Sequence, residues 1–291
     1  MAAPGCLCCS PQLRAHRGDP KASTYTFKVG SFTLHMLTDF AATADAAWLF
    51  PTLSPEALGA FPDGKVVLSY GCTLVLTGDR TVLLDTSLGC VHPPIRTPTR
   101  VFEARPRGDL RELMKAVGVA PDDVDVVCHT HLHHDHTSWN VLPDPATGKL
   151  VPTFPKAKHL IQRAEFLYWG STAELRERVA YDTNVQPIQE AGMVELVNGL
   201  HEVCEGVTLE LAPGHTPGHQ VVRLCSGGER AYFIGDAMHQ APPSLHAYCW
   251  RRLPSIAIAE VTFLLRQVQQ VARPGWSPVF DWSAHDLGAA A

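Results

Sequence analysis

The chain has 291 residues, a net charge of −5 and 45% hydrophobic residues, which fits one α/β domain with a sizeable core. The acidic balance offers no basic field for a phosphate backbone and so argues against a nucleic-acid partner. No run approaches the ~20 apolar residues of a membrane-spanning helix, and nine cysteines in no repeating frame suit a reducing, cytoplasmic setting better than a disulfide-stapled secreted fold.

Residues 1–24 carry Cys6, Cys8, Cys9 and several prolines but no apolar stretch of the kind a secretory signal needs, so they read as a disordered tail. Residues 25–291 are expected to form the single folded domain. Over 31–39 the apolar Phe32, Leu34 and Met36 alternate with polar residues, which predicts a strand. Residues 66–85 read as strand, turn at Gly78-Asp79-Arg80, and strand. Leu110, Leu113, Met114 and Val117 fall at helical spacing over 109–117, and the β-branched run 124–128 predicts a buried strand. Further strands are expected at 207–211, 220–224 and 231–234, with a helix over 258–271 that ends at Pro274-Gly275. Two strand-rich halves with histidine-bearing loops predict two packed sheets with helices outside.

The loop that leaves the 124–128 strand holds His131-Leu132-His133-His134-Asp135-His136. Imidazole and carboxylate are the usual ligands of zinc, and catalytic zinc keeps a position open for water. An extended exit from the strand aims His131 and His133 to one side, while a turn at Asp135-His136 directs two donors at a second ion. A histidine-rich surface loop is the bland alternative, and the rest of the chain weakens it. Ala212-Pro213-Gly214-His215-Thr216-Pro217-Gly218-His219 follows a strand, and its prolines and glycines make a tight loop that presents His215. Phe233-Ile234-Gly235-Asp236 ends another strand in a carboxylate, and His285 follows a short apolar run near the C-terminus.

In this order the pieces resemble the metallo-β-lactamase superfamily, especially its lactonase-like and organophosphate-hydrolase-like hydrolases, from about Tyr25 to His285, with 82–86, 135–140 and 151–155 adding to the match. The resemblance implies a four-layer αβ/βα sandwich of two mixed β-sheets, helices outside, with metals on one rim. It implies two zinc ions per chain, with iron or manganese as alternatives. His131, His133 and His215 would hold the first ion and Asp135, His136 and His285 the second, with Asp236 bridging. His285 is inferred from order alone, so His239, His246 or a single-ion site stay open in its place. Asp85 resembles a buried aspartate that orients ligands by hydrogen bonding. His129 is expected to pack on its strand, and His134 and His219 to flank ligands without being ligands. His239 stands where similar lactonases place a tyrosine that touches the substrate oxygen, and it would share catalysis with Asp135, a carboxylate suited to moving a proton to the leaving group.

The expected reaction is hydrolysis of a lactone or carboxylic ester by a zinc-bound hydroxide, with phosphotriesters as a promiscuous target. Trp48, Phe50, Trp139, Phe166, Tyr168 and Trp169 are candidates for an apolar pocket lining or for core. Three alternatives of the same fold stay open: a mononuclear iron persulfide dioxygenase, a glutathione-thioester hydrolase and a homologue without turnover. The expected partner is a small-molecule substrate, with no nucleic acid and no membrane; a homodimer is one assembly this leaves open.

Overall fold

A computed structural model of the chain describes residues 24–49, 55–59, 61–89, 101–104 and 108–237. The tail assigned to 1–24, apart from Thr24, and the helix expected over 258–271 lie outside the described residues. The first half supplies β1 (Thr24–Val29), β2 (Phe32–Asp45), β3 (Lys65–Leu76), β4 (Thr81–Leu84), β5 (Val101–Ala104) and β6 (Val126–Cys128). β7 (Val141–Pro143) and β8 (Leu150–Pro152) make a separate hairpin, followed by β9 (Lys158–Gln162) and β10 (Val194–Val197). The second half adds β11 (His201–Cys204), β12 (Val207–Leu211), β13 (Gln220–Ser226) and β14 (Glu229–Phe233). Among the helices are α1 (Ala46–Leu49), α2 (Pro55–Leu58), α3 (Leu110–Ala116), α4 (His134–Thr137), α5 (Arg163–Gly170), α6 (Ala173–Arg178), α7 (Tyr181–Asn184) and α8 (Gln186–Glu190).

The large sheet runs β1-β2-β3-β4-β6-β9-β10, with β5 beside β2. It is antiparallel as far as β4 and parallel from β4 through β6 and β9 to β10. The second sheet, β11-β12-β13-β14, is antiparallel throughout the described residues.

Strand alternation builds two cores from one sheet. On β4, Val82 and Leu84 face the second sheet and meet Val207, Leu209, Val222 and Leu224, and Cys128 of β6 joins them. The intervening Leu83 and Val127 face the other way, onto Leu110, Leu113 and Met114 of α3. Parallel strands buried on both faces explain why these segments read as unbroken apolar runs. A third cluster packs Leu132 and Ile161 against Trp169, Val179, Tyr181 and Val185, so the residue between His131 and His133 is itself a core residue.

α3 starts where its spacing predicts. Asp109 caps it, accepting from the Arg111 backbone N–H at 2.9 Å and from the Arg111 guanidinium. Asp109→Ala is expected to lower unfolding stability by about 1 kcal/mol, the usual worth of an N-cap; urea titration of the variant beside the parent checks it, and an unchanged midpoint would refute it.

The strands expected at 207–211, 220–224 and 231–234 are present as β12, β13 and β14, the last displaced by one or two residues. The segment 158–204 carries no comparable signal. In α5 the residues Phe166, Leu167, Tyr168 and Trp169 are consecutive rather than spaced by three or four, and Leu167 and Tyr168 are exposed, so no amphipathic stripe marks the helix. No helix among the described residues is long and apolar enough to cross a membrane.

Candidate metal centre

The donors sit where strands end, which is where loops can bring polar groups together without breaking a sheet. β4 runs into Asp85, β6 runs through His129 to His131 and His133, and α4 carries Asp135 and His136. The β12–β13 connection presents His215, and the turn after β14 presents Asp236.

Two donor groups form at one rim. His131, His133, His215 and Asp236 each bring a ligand atom within 4.8 Å of the others, and Asp135, His136 and Asp236 form a second such group. His131 Nε2 lies 3.0 Å from His133 Nδ1, which lies 3.0 Å from His215 Nε2. Asp236 reaches both groups: Oδ2 is 3.4 Å from His215 Nε2 and 3.9 Å from His131 Nε2, while Oδ1 is 3.2 Å from His136 Nε2.

The donor set suits a metal better than a closed hydrogen-bond network, and separations of 3.0–3.9 Å bracket those of donors around one ion. Tetrahedral zinc with Zn–N near 2.0 Å separates its donors by about 3.3 Å, whereas neutral imidazoles offer only one N–H each. Burial, and then the neighbouring histidines, hold His131 and His133 well below the usual histidine range, so both stay neutral with free lone pairs. The hydrogen bonds around His131 also set its tautomer. The Thr130 hydroxyl donates to Asp85 Oδ2 at 2.8 Å and so accepts from His131 Nδ1 at 3.0 Å, leaving Nε2 bare toward the cluster. At His136 burial favours the neutral ring, but Asp236, Asp85 and Asp135 outweigh it and raise the pKa well above the usual value. That corner favours positive charge.

Asp85 organises the site from below, as the resemblance implied. Fully buried, it accepts from the Thr130 N–H at 2.7 Å, from the Thr130 hydroxyl, and from His136 Nδ1 at 2.7 Å. Its backbone has φ 57, and Ser87 has φ 56, so the turn after β4 is left-handed twice. That turn is tied to the metal loop through Thr86 N–H to His136 O (2.8 Å) and Ser138 N–H to Ser87 O (3.1 Å). Gly235 is required here, with φ +51, because a Cβ would fall 2.7 Å from the Thr130 hydroxyl oxygen and 2.9 Å from His219 Nε2.

His129 behaves as expected of a packed residue. It stacks on His159, with Nε2 3.1 Å from the His159 Nδ1, and burial pushes its pKa down to about 4. His134 and His219 belong to neither donor group. His219 is buried beside His131, its ring nitrogens without hydrogen-bond partners among the described residues. Trp139 is core, donating Nε1–H to Asp39 at 2.7 Å. Trp169 is buried with its ring edge-on to His133 at 5.4 Å, Phe166 packs toward Tyr181, and Tyr168 is exposed. Phe50, the Trp48 side chain, His239, His246 and His285 lie outside the described residues.

Three participants carry no motif. Asp39 of β2 is buried and holds the 85–89 turn through the Ser87 hydroxyl and the Gly89 N–H (3.2 Å); its strand face also carries Thr33 and His35, so alternation does not single it out. Tyr70 of β3 packs on Phe40 at 5.5 Å, and burial, then Asp135 and Asp236, raise its phenol, so it remains a hydrogen-bond donor at the rim. Glu165 of α5 is buried against the loops that carry His131 and His215.

A family model described as the metallo-beta-lactamase superfamily matches residues 68–272. The chain belongs to that superfamily. Among its relatives, an N-acyl homoserine lactonase of Bacillus cereus is 27% identical over 167 residues, 55% of this chain and 59% of that protein. The N-acyl homoserine lactonase AiiA of Bacillus thuringiensis subsp. kurstaki is 30% identical over 179 residues, 55% of this chain and 60% of that protein. The chain thus spans under two thirds of the length of these curated relatives. Among solved structures, AidC, a dizinc quorum-quenching lactonase in complex with a product, superposes with a TM-score of 0.62 at 22% identity, over 86% of this chain and 88% of that one. A probable metal-dependent hydrolase from Staphylococcus aureus superposes with a TM-score of 0.60 at 20% identity, over 72% and 75%. At these identities the likeness is one of fold, and the fold is that of the superfamily.

Proposed function

We propose that this protein is a metal-dependent hydrolase that opens the ester bond of a lactone, with N-acyl homoserine lactones as the class to test first. The observation that carries the reading is Asp236, whose two carboxylate oxygens face two different donor groups. That is the arrangement a pair of neighbouring ions needs. The relatives that bear the name N-acyl homoserine lactonase support the substrate class.

On this reading His131, His133 and His215 would hold one zinc and Asp135 and His136 the other, with Asp236 a donor common to both groups. His285 completes the second set by its place in the chain, and zinc is chosen by the imidazole-rich donor set. Bound zinc supplies Lewis acidity, which activates water at neutral pH and polarises the substrate carbonyl. The chain's own groups do the rest. Asp85 keeps Nε2 of His136 turned to the site, and Thr130 does the same for Nε2 of His131. As the water oxygen bonds to the carbonyl carbon and the ring C–O bond breaks, Asp135 carries the water's proton to the leaving oxygen. His239 is assigned the contact to the substrate oxygen.

Purified protein assayed on a lactone, an aryl ester, a thioester and a phosphotriester tests the proposal. The expected result is lactone opening that a chelator abolishes and zinc restores. Activity indifferent to chelation, or thiol-dependent oxygen uptake with no ester hydrolysis, would overturn it.

A further inference from the structure

We infer that Glu165 is a positioning residue that locks the His131–His133 loop and the His215 loop into one metal-binding unit. The inference rests on the metal-site reading above. Glu165 lies in the first turn of α5, a helix that contributes no donor to either metal group. Its side chain is buried, a costly place for a carboxylate unless its oxygens are fully hydrogen-bonded.

Four donors meet that need, and they come from the parts that must be held together. Oε1 accepts from the Leu132 N–H at 3.0 Å, between His131 and His133, and from Trp169 Nε1–H at 2.7 Å. Oε2 accepts from the Thr216 hydroxyl at 2.7 Å, next to His215, and from the Gly218 N–H at 2.9 Å. Trp169 in turn sets its ring edge-on to His133. Gly218 is part of the device, because a Cβ there would lie 2.1 Å from the Glu165 backbone nitrogen. The second glycine of the 212–219 motif is thereby accounted for. Leu132 and Thr216 are 84 positions apart in sequence, and a single carboxylate spans the gap between their loops.

The carboxylate serves all four donors with two oxygens, two donors on each. Glu165→Gln keeps shape and size but replaces one oxygen with an amide nitrogen. That nitrogen then opposes either Leu132 N–H with the Trp169 indole, or the Gly218 N–H. One loop loses its anchor in either rotamer.

The test is metal affinity, measured by competition against a chromophoric chelator with zinc and the full chain, alongside circular dichroism and kinetics. Folded Glu165→Gln is expected to bind zinc about 10–100-fold more weakly, the usual effect of removing a group that orients ligands. Thr216→Val removes one donor of the four and is expected to weaken binding about 2–10-fold, the worth of one hydrogen bond, while folding normally, which keeps the inference testable if Glu165→Gln does not fold. Affinity within twofold of the parent in folded Glu165→Gln, or in Thr216→Val, would overturn it. The readout is independent of the substrate: weaker zinc binding in the variants of a parent that opens no lactone sinks the proposed function alone, whereas lactone opening by the parent with unaltered affinity in the variants sinks the positioning role alone.

Discussion

Asp236→Ala is expected to abolish lactone opening, with kcat/KM falling at least about 10³-fold, or ~4 kcal/mol of transition-state stabilisation. Metal content should drop below two ions per chain. The reason is geometric: Oδ2 lies among His131 and His215 while Oδ1 lies beside His136, so the substitution removes a donor from both groups at once. The metal-free protein should tolerate the change well, because Asp236 follows β14 at the rim and its side chain belongs to no core cluster among the described residues. Metal analysis, thermal unfolding in chelator and steady-state kinetics together decide the matter. Two ions bound and kcat/KM within tenfold of the parent would remove Asp236 from between the ions.

Asp85→Asn should be nearly as damaging although Asp85 is in neither donor group. The side chain accepts three hydrogen bonds, from the Thr130 N–H, the Thr130 hydroxyl and His136 Nδ1. An asparagine that keeps its oxygen on the Thr130 N–H turns its NH₂ toward His136 Nδ1. That nitrogen must then accept, which moves the imidazole proton to Nε2, the atom facing Asp135 and Asp236. Nε2 is then capped by a proton where the proposal needs a lone pair. Zinc affinity is expected to fall about 10–100-fold, with the loss of acceptors for buried donors costing a further ~1–3 kcal/mol in stability. Asparagine tolerates the left-handed backbone at this position, so the conformation of the turn is preserved and the effect reads out the hydrogen bonds. Chelator competition and urea unfolding measure the two parts; zinc affinity unchanged in a folded variant would show that Asp85 does not set the His136 tautomer.

The elements with a strong period are legible in the amino-acid sequence. The alternation in β2, the spacing of α3 and the apolar runs of β4 and β6 each record which faces are buried, and burial is the force that selects those residues. The helices α5 to α8 are not legible because what holds them is local and irregular: a run of aromatic and aliphatic residues on α5 of which some are exposed, and short helices that end after one or two turns. The candidate donors His131, His133, Asp135, His136, His215 and Asp236 are legible because metal ligation admits few residue types and their loops follow recognisable strands. Glu165 and Asp39 are invisible for the opposite reason. A buried carboxylate looks like any surface acid until its donors are known, and those donors are backbone N–H, indole N–H and hydroxyl groups that carry no motif of their own.

The amino-acid sequence by itself determined the inventory and order of candidate donors, the strand ends that carry them, and the membership of the metallo-beta-lactamase superfamily. Only the tertiary structure decided that Asp236 stands between two donor groups, that Asp85 and Thr130 turn His136 and His131 toward the site, and that Glu165 ties two ligand loops together. Periodicity reports which side of an element is buried, and that is a local property. A coordination site depends on atoms from residues 85 to 236 meeting within a few ångströms, and hydrogen bonds between distant loops set those distances.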